Sequence, residues 1–233
     1  MPTAFVAGAT GYTGRAVVRA SARRGAGTLA HVRPDSARLA DWTARFRAMG
    51  AEVDITPWEP AALTATLRAL APAEVYALLG TTRHRAQGEG LQATEAYERV
   101  DYGLTVMLLE AVVATGLRPR FVYLSAAGAD RGSGGAYMQA RVRAEAAIRA
   151  SGLSWTIARP SWITGADRDE SRPGERVGAA VTDALMAVAG VLGARRLRAR
   201  YASTTNEALA AALVRLAADP AAQDRVFESE ALR

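Results

Sequence analysis

The strongest constraint on this chain is a glycine turn close to its start, in the run Phe5-Val6-Ala7-Gly8-Ala9-Thr10-Gly11-Tyr12-Thr13-Gly14-Arg15. A GxxGxxG spacing by itself says little in a chain with 21 glycines. Its context says more: it follows a short apolar run over 3–7 and opens a segment of helical periodicity over 13–24, which stops at Gly25 and Gly27. A strand feeding a helix through such a turn is what a dinucleotide-binding βα unit requires. Gly8 then permits the tight turn, Gly11 lets the backbone approach a pyrophosphate, and Gly14 lets helix and strand pack closely. Unpaired N–H groups of the first helical turn would meet the phosphates. The competing reading is a purely structural strand-to-helix turn.

The rest of the chain alternates in the same way. Strands are expected over 29–32, 52–55, 75–79, 121–124 and 153–158, and helices over 36–49, 60–70, 94–115 and 136–150. A capping-box signature, Thr204-Thr205-Asn206-Glu207, starts a last helix that runs to about Ala218. Strands separated by helices of this length predict an α/β fold of Rossmann type, a doubly wound parallel sheet in a single domain. That domain is expected to span residues 1–233, with substrate-side loops in 160–202. The polar stretch 165–176 suits a flap beside a site better than a core connection. Its charges, Asp167 to Arg172, fit a lid over a polar substrate or a salt-bridged surface loop equally well.

With 233 residues, half of them apolar, the chain can bury a substantial core. It has no cysteine, which removes disulfides, thiol catalysis and cysteine-bound zinc together. Its two histidines, His31 and His84, form no metal-ligand pattern, so no metal site is expected. The net charge is +6 and the pI about 10.3, yet all 29 basic residues are arginine and acids lie between them. That bias reads as compositional drift, and the densest group, Arg195 to Arg200, alternates like a wet strand face. Nucleic-acid binding is therefore not expected. No apolar stretch reaches the roughly 20 residues of a membrane span, and a cytoplasmic protein is expected.

The choice of cofactor should be written after the second strand, where an acid usually binds the ribose hydroxyls of NAD. Here the sequence is His31-Val32-Arg33-Pro34-Asp35-Ser36. Arg33, helped by Arg15 or Arg38, can pair with a 2′-phosphate, so NADP(H) is expected over NAD(H). The alternative is that Arg33 is one more surface arginine.

These residues resemble the atypical, NAD(P)H-binding members of the short-chain dehydrogenase/reductase superfamily. The resemblance continues through Leu79-Gly80-Thr81-Thr82-Arg83, Val100-Asp101-Tyr102, Tyr123-Leu124-Ser125-Ala126-Ala127-Gly128-Ala129-Asp130 and Ala158-Arg159-Pro160. The later Glu170-Ser171-Arg172-Pro173-Gly174-Glu175 points toward the group that contains the mammalian Tat-interacting oxidoreductase. The likeness extends over about residues 3–213. It implies that Gly8, Thr10, Gly11, Tyr12, Thr13, Gly14 and Arg15 hold the cofactor together with Arg33. It further implies Asp54 at the adenine amino group, Gly80 and Thr81 along the adenosine ribose, and Leu79, Thr82, Arg159 and Pro160 as further cofactor-binding residues.

Tyr137-Met138-Gln139-Ala140-Arg141 occupies the place of that family's Tyr-x-x-x-Lys. Residues four apart share a helix face, so the cation lies beside the phenol. Arg141 keeps the charge, but it cannot readily hand on a proton as lysine can. The resemblance therefore implies Ser125, Tyr137 and Arg141 as catalytic residues. Ser125 and Tyr137 would bond a carbonyl oxygen, and Tyr137 would protonate the forming alkoxide. The implied activity is an NADP(H)-dependent oxidoreductase acting on a small carbonyl or alcohol. The alternative is a non-catalytic NADP(H)-sensing regulator that binds a partner protein. Neither the substrate nor the oligomeric state follows from the residues.

Overall fold

The computed structural model describes residues 3–81, 90, 92–129, 134–161, 163–164 and 204–233. Thr82, Arg83, His84, Asp130, Trp162, the charged stretch 165–176 and the arginine group 195–200 lie outside the described residues. The strands are β1 (Thr3–Ala7), β2 (Gly27–His31), β3 (Glu52–Asp54), β4 (Glu74–Ala77), β5 (Arg120–Leu124), β6 (Ser154–Arg159), β7 (Ile163–Thr164), β8 (Thr204–Thr205) and β9 (Arg225–Glu228). The helices are α1 (Tyr12–Arg23), α2 (Leu39–Ala48), α3 (Pro60–Leu70), α4, α5 (Ala136–Ala150) and α6 (Asn206–Ala218). Helix α4 starts as Ala93–Ala96, passes through a π-helical stretch at Tyr97–Leu104 and continues as Thr105–Ala114.

Seven strands form one parallel sheet in the order β3-β2-β1-β4-β5-β6-β9. The first six follow the doubly wound order, and the chain reverses its direction of travel between β1 and β4. Successive strand residues point to opposite faces. Ala4 and Val6 accordingly join one core, with Val17, Trp42 and Phe46 of α1 and α2 and Leu209 and Leu213 of α6. Phe5 and Ala7 join the other, with Leu63 and Leu67 of α3, Leu108 and Val112 of α4, and Ile148 of α5. Each fully buried leucine or phenylalanine contributes about 1.5–3 kcal/mol, so these two layers hold the sheet rigid under its loops.

Helices α3 and α5 occupy the expected 60–70 and 136–150, and most strand ends fall within two residues of expectation. Other features differ. α2 starts at Leu39 because two successive turns, Ser36 N–H to the Arg33 carbonyl and Leu39 N–H to the Ser36 carbonyl, occupy the residues before it. The N-cap of α6 is Thr205, whose hydroxyl accepts the Ala208 amide at 3.2 Å. Glu207 is then one position too early to complete a capping box. Thr204 instead donates to the Leu232 carbonyl. The sequence reading also missed β9 and the small β7–β8 ladder.

Candidate active site

At the β1–β4 reversal, Gly8 has a φ of +81°, and a Cβ there would lie 2.5 Å from the Leu78 carbonyl oxygen. A Cβ on Gly14 would collide with the Gly8 carbonyl oxygen. Both positions therefore exclude a side chain, in keeping with the tight turn and close helix–strand packing that the spacing predicts. Gly11 closes the turn by donating to the Gly8 carbonyl at 2.9 Å and then caps α1 without a side-chain acceptor. The first turn of α1 contains no acid, so its unpaired amides and partial positive charge stay available to an anion.

This turn opens onto a cleft of about 580 Å³. Gly8, Thr10, Gly11, Arg33, Leu79, Gly80 and Thr81, all expected cofactor contacts, line it together. His31, Pro34, Asp35, Pro57, Trp58, Leu78, Arg99, Val100 and Leu104 complete the wall. The Arg33 side chain is 59% exposed, with Asp35 near it at 3.7 Å. Tyr12, Thr13, Gly14 and Arg15 follow in α1. The Tyr12 carbonyl accepts from Asn206 of α6, and buried Arg15 donates to the Thr10 carbonyl at 3.3 Å. Asp54 does not line the cleft: its carboxylate accepts both the amide and the hydroxyl of Thr56.

His31 is buried and donates from Nε2 to the Thr56 carbonyl at 2.8 Å, with Trp58 edge-on at 5.0 Å. Burial holds its pKa below the ordinary value, against the opposing pull of that carbonyl and of Asp54. The folded protein thus keeps His31 neutral where the unfolded chain takes up a proton. Its stabilising contribution is complete above about pH 6.5 and is lost as pH falls through the lower folded-state pKa. Urea midpoints measured from pH 7.5 to 5.5 should fall for the wild type and flatten for His31→Asn. Parallel curves would contradict this.

The second set of expected residues sits at the C-terminal ends of β5 and β6. Ser125 is buried and donates its hydroxyl to Glu145 Oε1 at 2.6 Å. Arg159 grips the same carboxylate with Nε at 2.9 Å and Nη2 at 2.7 Å, and Arg149 adds a further bond at 3.0 Å. Burial works to raise the Glu145 pKa, but these donors outweigh it and hold the carboxyl below its ordinary value. A hydroxyl has one proton, so with Glu145 as its acceptor Ser125 is left with acceptor capacity alone. Pro160 is buried beside this group and accepts the Ala127 amide.

Arg141 links the two sets. It lies on α5 with a side chain 7% exposed and donates to Asp101 at 2.6 Å, to the Tyr123 hydroxyl at 3.2 Å and to the Leu124 carbonyl at 2.8 Å. Asp101, fully buried in the π-helical stretch of α4, uses its other oxygen to accept the Thr81 amide at 3.0 Å. Burial pushes the Asp101 carboxyl up, and Arg141 and Thr81 pull it back. Burial also acts to lower the Arg141 pKa, but the neighbouring Tyr137, Tyr123 and Asp101 raise it overall, so it stays charged. The Arg141 guanidinium lies 5.2 Å from the Tyr137 ring centroid. Tyr137 also meets Tyr97 edge-on at 5.3 Å, and its hydroxyl has no hydrogen-bond partner among the described residues.

Sequence reading missed Asp101, Glu145, Tyr123, Trp58 and Arg99 as site residues. A signal existed for two of them: Asp101 and Glu145 are acids in helical register with buried apolar positions, Asp101 with Leu108 and Glu145 with Ile148.

Residues 8–220 match the NAD(P)H-binding family. The chain belongs to that family. None of the curated proteins matches it in sequence. Solved structures share the fold at low identity. A Bacillus halodurans protein named for the NAD-dependent epimerase/dehydratase group is 15% identical, with a TM-score of 0.67 over 99% of this chain and 97% of its own. The Citrobacter sp. triphenylmethane reductase, solved with NADP(H), is 16% identical with a TM-score of 0.64 over 97% of this chain and 69% of its own. The Thermotoga maritima UDP-glucose 4-epimerase is 16% identical with a TM-score of 0.67 over 97% and 75%. No helix among the described residues is long and apolar enough to cross a membrane. Among the same residues, no group of three or more His, Cys, Asp or Glu could hold a metal ion.

Proposed function

We propose that this chain is an NADP(H)-dependent oxidoreductase of the atypical short-chain dehydrogenase/reductase type, acting on a small carbonyl or the corresponding alcohol. Residues 160–202 would supply its substrate-side loops. The observation that carries the reading is the continuous link from the cleft through Thr81, Asp101 and Arg141 to Tyr137. It ties a phenol, with no hydrogen-bond partner among the described residues, and a fixed cation to the Thr81 wall of the cleft. The likeness to a reductase solved with NADP(H) supports the choice of chemistry and of cofactor.

The cleft fits the cofactor on its own geometry. A turn that excludes side chains at Gly8 and Gly14 leads into the acid-free first turn of α1, and Arg33 waits at the β2 end. Gly8, Thr10, Gly11 and the α1 amides would hold the diphosphate, and Leu79, Gly80 and Thr81 would pass along a ribose. When bound, the nicotinamide supplies or accepts a hydride. Tyr137 donates its proton to the substrate oxygen, and Arg141 stabilises the charge left on the phenol oxygen. Arg141 does not carry the proton onward, because it is pinned and permanently charged. Ser125, whose proton belongs to Glu145, accepts a hydrogen bond from the bound molecules.

The test is NADPH consumption by the purified chain across aldehydes, ketones and quinones. Steady, protein-dependent loss of NADPH absorbance is expected with at least one of them. Tight NADPH binding with no turnover across the panel would overturn the enzymatic reading and leave the NADP(H)-sensing regulator.

A further inference from the structure

Helices α4 and α5 meet through two rungs. Tyr97 and Asp101, four residues apart in the π-helical stretch of α4, face Tyr137 and Arg141, four residues apart on α5. One rung is the buried Asp101–Arg141 ion pair at 2.6 Å. The other is the edge-on pair of Tyr97 and Tyr137 rings, with centroids 5.3 Å apart. Beside them Arg143 of α5 pairs with Glu98 at 2.8 Å and lies 3.9 Å over the Tyr102 ring. Both phenols of the second rung are half-buried, and neither hydroxyl has a hydrogen-bond partner among the described residues. The π-helical turn that presents Tyr97 is a device found frequently at functional sites.

Reducing a carbonyl builds negative charge on its oxygen, and fixed donors aimed at that oxygen stabilise the transition state. Ser125 is not free to be one of them, because its proton is directed at Glu145 Oε1 at 2.6 Å. Arg159 and Arg149 hold that carboxyl ionised, so it goes on accepting. A phenol without a partner, packed against the ring of Tyr137, meets the need. We propose that Tyr97 is a catalytic residue that donates the second hydrogen bond to the substrate oxygen, beside the proton donor Tyr137. The proposal rests on the oxidoreductase reading above. Tyr97 transfers nothing: the proton that ends on the product oxygen comes from Tyr137, and Tyr97 keeps its own.

The test is steady-state kinetics of the full chain with NADPH and the carbonyl that it reduces fastest, with benzaldehyde, cyclohexanone and menadione as first probes. Tyr97→Phe should lower kcat by about 10²- to 10³-fold, the usual loss when one such donor is removed. KM and NADPH affinity should stay within about threefold of wild type, because phenylalanine keeps the edge contact with Tyr137. Two donors on one oxygen act as a unit, so the double variant with Tyr137→Phe should lose less than the product of the two single losses. Tyr97→Phe should also cost more than Ser125→Ala. A Tyr97→Phe protein with kcat within about threefold of wild type overturns the proposal, and so does a larger loss in Ser125→Ala. No turnover by wild type with any aldehyde, ketone or quinone would instead overturn the oxidoreductase reading itself.

Discussion

Asp101→Ala is expected to destabilise the protein by about 3–5 kcal/mol, because it strands a buried guanidinium without its counter-charge. Asp101 is fully buried and Arg141 nearly so, and they meet at 2.6 Å. The alanine also removes the acceptor of the Thr81 amide, which fixes the loop after β4 at the cleft wall. Two effects should therefore appear together, a lower urea midpoint and weaker NADPH binding. Asp101→Asn keeps an oxygen for Thr81 and should fall between wild type and alanine in both measurements. An alanine variant within about 1 kcal/mol of wild type would mean that solvent reaches Arg141 and the pair is not what holds the loop.

Tyr137→Phe should lower turnover by about 10²- to 10⁴-fold, the usual contribution of a positioned general acid. The phenyl ring keeps its edge contact with Tyr97 and its place near Arg141, so folding and NADPH affinity should match wild type. The deficit should sit in kcat and not in KM, because the lost bond matters most as charge develops on the substrate oxygen. Unchanged turnover would remove Tyr137 from the chemistry. Ser125→Ala should cost less than Tyr137→Phe, since the Ser125 proton is directed at Glu145 and not at a ligand.

The sequence was most legible where a local rule had no competitor. Pro60 and the apolar spacing behind it mark α3, and the glycine turn marks β1 and α1, because backbone geometry at those points admits few residues. Where two local rules competed, the reading slipped: Thr204 and Thr205 both make acceptable caps, but the Thr204 hydroxyl donates to the Leu232 carbonyl while Thr205 accepts the Ala208 amide. The π-helical stretch of α4 has no compositional mark, since its residues suit an ordinary helix equally well.

The candidate site divides in the same way. Gly8, Gly11, Arg33 and the Leu79–Thr81 loop come from segments next to strand ends, and topology brings them to one cleft. The buried network was not legible, because its pairings join residues far apart: Asp101 with Arg141, and Glu145 with both Ser125 and Arg159. Sequence also could not foresee that Asp54 would turn to Thr56, or that Arg15 would fold back beside Trp42. Those are local contests among hydrogen bonds, settled by neighbours that only the fold supplies.

The central claim is that the Gly8–Gly14 turn and the loop after β4 together hold a nicotinamide dinucleotide. Its most direct test is equilibrium titration of NADPH into wild type and Gly8→Val, with folding of both checked by circular dichroism. A Cβ at Gly8 would lie 2.5 Å from the Leu78 carbonyl oxygen and force β1 and β4 apart at the cleft floor. Saturable binding by wild type that is lost in a folded Gly8→Val is the predicted result. Equal binding by both proteins, or no binding by wild type at millimolar NADPH, would contradict it.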